Sequence, residues 1–205
     1  MSVLRVGADP FPPYQYIDEE GNLSGSDYET ICKVIQKMGY SADVILREWS
    51  DVEELMDAGE IDLAFQVQKT EERLSKWHFS DKLRDATTVI ISLDADSKVS
   101  VNCLADSGEK IGVIRGYKYG DFIDSLDEHN KLACKSLEEI LDCILGGRIK
   151  YGVADLGVFQ YMQKGNSQYS KIKRVKDTSF NRPLYVVFND SKICSQFNVA
   201  LKTLK

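Results

Sequence analysis

Twice in this chain an amphipathic helix ends on glycine and runs, within two residues, into an isoleucine-led strand. The two joints are Ala58-Gly59-Glu60-Ile61-Asp62 and Gly146-Gly147-Arg148-Ile149-Lys150. Glycine stops a helix because it alone adopts the left-handed conformation cheaply. A connection this short lays the helix directly back on the sheet that receives the strand. Both helices also open on a Ser-x-x-Glu capping box, Ser50-Asp51-Val52-Glu53 and Ser136-Leu137-Glu138-Glu139. The pattern predicts two similar α/β units in tandem, and 205 residues suffice for two units of roughly 100 each.

The remaining periodicity agrees. Val3 to Gly7 is a short buried-type strand, followed by the rigid turn Asp9-Pro10-Phe11-Pro12-Pro13-Tyr14 and a hairpin-type turn over Asp18 to Asn22. Ile31, Val34, Ile35 and Met38 mark one face of a helix from about Asp27 to Met38, stopped by Gly39. Strands follow over Ala42 to Arg47 and Ile61 to Val67, then over the β-branched run Thr87 to Leu93 and over Lys110 to Ile114. Beyond the second capping-box helix, strands are expected over Lys150 to Ala154, Lys171 to Val175 and Pro183 to Phe188, with a helix from Asp155 to Lys164. Short alternating connections of this kind imply parallel sheets covered by helices.

Charge and composition narrow the function classes. A net charge of −6 and the absence of a basic stripe exclude a dedicated nucleic-acid binder. No run of 18 apolar residues is present, so no transmembrane helix is expected. Met1-Ser2-Val3 leads straight into a strand, which suggests either a cytosolic chain or a mature or excised piece whose leader has been removed, and Gln196 to Lys205, a helix without a stop, favours excision. Five cysteines (Cys32, Cys103, Cys134, Cys143, Cys194) lack C-x-x-C spacing and read as buried or free thiols, with one disulfide as the alternative. Two histidines, His78 and His129, give a zinc site little to work with, and no metal or cofactor is expected. Nucleophile elbow, P-loop, H-E-x-x-H and dinucleotide glycine motifs are all missing, so no catalytic residue is assigned.

A further set of short motifs stands in order along nearly the whole chain. These are Leu4-Arg5-Val6-Gly7-Ala8-Asp9 with Pro13-Tyr14, Gly21 to Asp27, Trp49-Ser50, Ala58 to Leu63, Thr70-Glu71-Glu72-Arg73, Phe79-Ser80-Asp81, Ile111 to Gly116, Ser136 to Glu139 and Gly147-Arg148-Ile149. In this the chain resembles the family 3 extracytoplasmic solute-binding proteins, the polar amino-acid type. The resemblance implies an α/β, two-lobed periplasmic-binding-protein type 2 fold, a hinged trap with two crossover hinge strands. Lobe 1 would comprise residues 1–84 plus 184–205 and lobe 2 residues 85–183, with hinges near 84–88 and 179–184.

The same resemblance assigns the ligand contacts. Arg73 would grip a carboxylate with its planar fork, and Asp155, also a favoured helix N-cap, would pair with an ammonium. Phe11 and Trp49 would wall the side chain, while Tyr14 packs the base of the first lobe. The chain departs from the family where small hydroxyl residues are usual. It has Gln66 and Gln68 in the first lobe and Tyr117 and Lys118 after the second-lobe glycine. Gln68 can still donate through its amide, Lys118 can supply a point charge, and Tyr117 would reshape the pocket. The aromatic pair expected after Ser80-Asp81 is replaced by Lys82-Leu83-Arg84.

The expected function is capture of a small zwitterion, an amino acid first of all, outside the cytoplasm. Closure would be read by a membrane partner: an attached receptor such as a histidine kinase or, alternatively, an ABC permease. A cyclohexadienyl-dehydratase-like enzyme is the rival from another class, and a silent interaction module the last.

Overall fold

The computed structural model describes residues 2–99, 104 and 108–204, and Cys103 lies outside them. The packing divides into two compact units, Met1–Asp85 with Pro183–Lys205, and Ala86–Arg182.

In the first unit β1 (Val3–Ala8) lies between two parallel neighbours, β4 (Ser41–Leu46) and β5 (Leu63–Val67). A small hairpin of β2 (Tyr16–Ile17) and β3 (Leu23–Ser24) stands apart, closed at the Asp18 to Asn22 turn. Helix α1 (Ser26–Lys37) buries Ile31, Val34 and Ile35 against Leu4, Val6 and Ala8, and Gly39 ends it at φ 85°. Phe197 and Leu201 of the last helix, α7 (Ser191–Lys202), complete that layer. Each such aliphatic side chain contributes about 1.5–3 kcal/mol on burial. Residues alternate across a strand, so Gly7 faces the opposite side, where Val52 of α2 (Trp49–Asp57) and Ile61 close in. A Cβ at Gly7 would stand 2.5 Å from the Ile61 Cδ1, which is why glycine sits there. α3 (Glu71–Lys76) follows β5, and β6 (His78–Phe79) pairs with the end of β12 (Phe180–Phe188).

The second unit repeats the plan. β8 (Ile111–Ile114) lies parallel to β9 (Lys131–Cys134) and to β10 (Tyr151–Asp155). α5 (Leu137–Leu145) covers the face on which Gly112 and Gly152 leave room for Ile140 and Ile144. On the other face Ile111, Val113, Tyr151 and Val153 pack with Tyr119, Ile123 and Leu126 around the one-turn α4 (Asp121–Asp124). α6 (Leu156–Gly165) leaves the end of β10.

Four expectations need correction. The sheets are mixed, because β12 meets β5 antiparallel and β10 meets β7 (Arg84–Ser92) antiparallel; the crossover strands run against their parallel neighbours. The first capping box does not form: α2 starts at Trp49 with Glu48 as its N-cap and no side-chain cap, so Ser50 is already inside the helix. The second forms halfway, since Ser136 accepts from the Glu139 N–H while Glu139 accepts from the Lys135 N–H, one residue upstream of the cap. The strand expected over Lys171 to Val175 shrinks to β11 (Lys173–Arg174), because Ser167–Lys171 forms a 3-10 turn. Cys32, Cys134, Cys143 and Cys194 are free thiols.

Candidate functional site

The predicted contact residues share one structural address within their respective units. Phe11 follows β1, Trp49 follows β4, Gln66 and Gln68 close β5, Tyr117 and Lys118 follow β8, and Asp155 closes β10. Carboxyl ends of parallel strands are where open α/β sheets bind ligands, because the helices that follow aim their N-termini there.

Arg73 is brought there by α3. Thr70 caps the helix, its hydroxyl accepting from the Arg73 N–H at 3.2 Å. Arg73 is 4% exposed, and its guanidinium stands 5.2 Å from the Trp49 ring centroid. Its Nε and Nη2 donate to Glu53 Oε1 at 3.1 and 2.7 Å, and Nη1 donates to the Gln68 carbonyl at 3.3 Å. Trp49, Gln68 and Arg73 are therefore one cluster, with Glu53 as a member that sequence reasoning missed. Trp49 and Glu53 are four apart on α2 and share a face. That spacing is the signal available in the sequence, in competition with the Ser50–Glu53 capping-box pattern.

Gln66 belongs to a second cluster. Its backbone sits at φ 70°, uncommon for a residue with a Cβ. The amide nitrogen donates to Asp27 and, at 3.0 Å, to Gln15 Oε1, while its oxygen accepts from Arg84 Nη2 at 2.9 Å. Arg84 Nε donates to Asp27 Oδ2 at 2.7 Å, and its guanidinium lies 3.6 Å from the Tyr14 ring centroid. The departure Lys82-Leu83-Arg84 thus supplies the counter-ion of a buried aspartate at the start of α1. Phe11 stacks on Tyr14 at 5.8 Å and donates its N–H to the Gln15 carbonyl at 2.7 Å, which ties it to the same cluster.

In the second unit Asp155 caps α6. Its Oδ1 accepts from the Gly157 and Val158 N–H groups at 2.9 and 3.1 Å. Its Oδ2 is buried and has no hydrogen-bond partner among the described residues. Thr88 is the register partner of Asp155 across β7 and β10, and its hydroxyl oxygen is likewise buried without one. The Tyr117 ring lies 5.9 Å from that of Tyr119, whose hydroxyl accepts from the Ile114 N–H. Tyr117 and Lys118 line a cavity of about 240 Å³ together with Arg115, Asp124 and Lys131. The Lys118 carbonyl accepts from Arg182 Nη1 at 3.3 Å. No pattern in the sequence singled out Arg182.

With this geometry in hand, comparison with known proteins is informative. The family model for bacterial extracellular solute-binding proteins, family 3, matches residues 4–205. The chain belongs to that family. Among curated relatives, the L-cystine-binding protein TcyA of Bacillus subtilis is 25% identical over 219 residues, covering 99% of this chain and 76% of its own length. A probable amino-acid ABC transporter-binding protein of Haemophilus influenzae is 25% identical over 208 residues, covering 98% and 79%. Among solved structures, an ancestral arginine-binding protein bound to arginine superposes with a TM-score of 0.86 at 23% identity, over 100% of this chain and 92% of its own. A histidine kinase sensor domain with similarity to periplasmic binding proteins gives 0.84 at 18%, over 99% and 90%. The two-lobed periplasmic-binding-protein fold is thereby established. The matched relatives are amino-acid-binding proteins. Among the described residues no helix is long and apolar enough to cross a membrane, and no group of His, Cys, Asp and Glu could hold a metal ion.

Proposed function

We propose that this chain captures a small zwitterionic amino acid outside the cytoplasm by closing its two units on it, and acts as a binding module without catalysis. The carrying observation is Asp155, 4% exposed, with one carboxylate oxygen spent on the α6 cap and the other without a partner among the described residues. A buried carboxylate oxygen left so is costly unless a donor arrives. A ligand ammonium is that donor, and Thr88 can share it. Arg73, clamped by Glu53 and the Gln68 carbonyl and braced by Trp49, takes the ligand α-carboxylate, and Phe11 and Trp49 flank its side chain. Gln68 and the Tyr117-Lys118 turn complete the contacts, whereas Gln66 acts by holding the Asp27–Arg84 pair.

Closure converts occupancy into a shape, since a ligand that prefers the closed state shifts the population toward it. A membrane partner reads that shape. In one reading it is an attached signalling protein such as a histidine kinase, which makes this chain a sensor domain. In the other it is an ABC permease, the reading that the Haemophilus influenzae relative supports. The reading frames that continue and adjoin this one separate the two: a fused membrane span and kinase against a neighbouring permease.

The test is a thermal-shift screen of the purified chain against the twenty amino acids. Ligand at 100 times its Kd adds about 2.7 kcal/mol of stability. Asp155→Asn keeps an equally good cap and removes the charge, so it should leave the unliganded melting temperature nearly unchanged and abolish the shift. Arg73→Gln should abolish the shift as well. Absence of a shift with every amino acid would sink this reading.

A further inference from the structure

The charged groups of the second unit do not balance as those of the first do. Arg182 is 4% exposed, yet no carboxylate lies within 4 Å of it among the described residues. Among the described residues its only hydrogen bond is the one to the Lys118 carbonyl, and its Nε is buried with no partner there. The Tyr117 and Tyr119 rings lie 5.9 and 5.5 Å from the guanidinium. Aromatic faces lower the cost of a buried cation only modestly. Losing the hydration of an ion costs more than such contacts return, so the two rings and one carbonyl fall short of compensation. By contrast Arg73 has Glu53 and Arg84 has Asp27.

Arg182 is also built onto the functional segment. Its carbonyl acceptor is Lys118 and one of its rings is Tyr117, the two positions at which this chain departs from small hydroxyl residues. A buried guanidinium that offers an unpartnered Nε beside a recognition turn is complementary to an anion.

We infer that Arg182 is a specificity residue that receives a second anionic group of the ligand, so that the amino acid bound here is acidic, with a side-chain carboxylate. This rests on the proposed capture of an amino acid and deepens it. Arg73 and Asp155 serve the α-carboxylate and α-ammonium common to all amino acids; Arg182 adds a positive charge that only an acidic side chain can match. A neutral side chain leaves the guanidinium uncompensated, and a basic one sets a like charge against it.

Isothermal titration calorimetry of the whole chain with L-glutamate, L-aspartate, L-glutamine, L-asparagine and L-arginine tests this. The acidic ligands should bind at least about tenfold more tightly than their amides, and arginine weakest. Arg182→Gln should weaken acidic ligands roughly 10- to 100-fold, the scale of one charge-assisted hydrogen bond, and bring them level with the amides. Arg182→Lys should restore part of the preference, keeping the charge without the fork. The unliganded melting temperature of Arg182→Gln should hold or rise, because an uncompensated buried charge is removed.

Three results overturn the inference while leaving amino-acid capture standing. The amides or arginine bind as tightly as glutamate and aspartate; Arg182→Gln weakens every amino acid equally, the mark of α-carboxylate recognition; or Arg182→Gln melts early with its acid-to-amide preference intact, the mark of a structural role. Binding of no amino acid overturns both readings together.

Discussion

Removing the Arg84 side chain should unfold the first unit far more readily than removing any exposed charge. Asp27 and Arg84 form an ion pair at 2.7 Å with side chains only 9% and 17% exposed. Replacing Arg84 with Met keeps much of the length that covers Tyr14 but takes away the cation. The Asp27 carboxylate would then rely on neutral donors such as the Gln66 amide and the Ser26 hydroxyl. Gln66 would lose the Arg84 donor to its own oxygen and keep only the bonds its amide nitrogen gives to Asp27 and Gln15. Breaking a buried pair by removing one partner costs about 3–5 kcal/mol, because it strands the other charge. For a chain of this size each kcal/mol moves the melting temperature by about 2–4 °C, so a fall of roughly 6–20 °C is expected.

The assay follows from the sequence. Both tryptophans, Trp49 and Trp77, are buried in the first unit, so urea unfolding followed by tryptophan fluorescence reports that unit. The control is the double variant Asp27→Asn with Arg84→Met. Once the carboxylate is gone there is no stranded charge, so the double variant should lose less than the sum of the singles, by about 1–3 kcal/mol. If Arg84→Met costs under about 1 kcal/mol, or the two single costs simply add, the pair is behaving as a solvated surface bridge and the reasoning fails.

Two further expectations concern groups away from the binding residues. Arg5 donates to both oxygens of Asp62, at 2.8 Å from Nη2 and 3.2 Å from Nε, and holds its carboxyl below the usual range. The unfolded chain therefore takes up that proton first, so the pair's contribution is complete above about pH 4 and fades as pH falls through the lower folded value. The gap in urea midpoint between the parent chain and Asp62→Asn should be open at neutral pH and shrink on acidification; a gap that widens in acid would contradict the sign. For Cys134, burial, with the Glu139 charge and Cys143 adding to it, pushes the thiol up to about 12. Since the thiolate is the reactive form, iodoacetamide at mildly alkaline pH should label Cys134 only after urea unfolding, read by mass spectrometry of its peptide. Labelling of the folded chain at the unfolded rate would refute this.

The elements that sequence made legible are those whose cause is local. α1 is announced by Ile31, Val34 and Ile35 at helical spacing and by Gly39. Asp155 announces itself as a cap because the strand before it and the apolar helix after it are both short-range patterns. What escaped are pairings across long stretches of chain: Arg73 with Glu53, twenty residues apart, and Arg84 with Asp27, fifty-seven apart. Asp27 carries no local signature, because a carboxylate on an otherwise polar face reads as solvated until the fold brings a cation to it, and Glu53 has only its four-residue spacing from Trp49. The failed capping box has the same origin. Ser50 to Glu53 is a good local start, but Trp49 is buried and extends the helix back to Glu48, so tertiary packing outweighs a cap usually worth about 1 kcal/mol.

The same contrast explains why the departures from the family pattern are informative. Arg84 stands where aromatic residues are usual, and the structure compensates it within its own unit through Asp27, Gln66 and Tyr14. Such a substitution changes how a unit is held together. Tyr117 and Lys118 are different, because the arginine they cradle is compensated by nothing of comparable strength among the described residues of its unit. Asp155 and Thr88, in the same unit, also present buried polar atoms without partners among the described residues. Three such groups in one unit cost stability that a folded chain of marginal stability would not retain for packing alone. They are explained together if a bound molecule supplies the missing partners, an ammonium for Asp155 and an anion for Arg182. On that argument Arg182 of the second unit carries the discrimination between acidic and neutral ligands, while Arg73 and Asp155 supply the grip common to all amino acids.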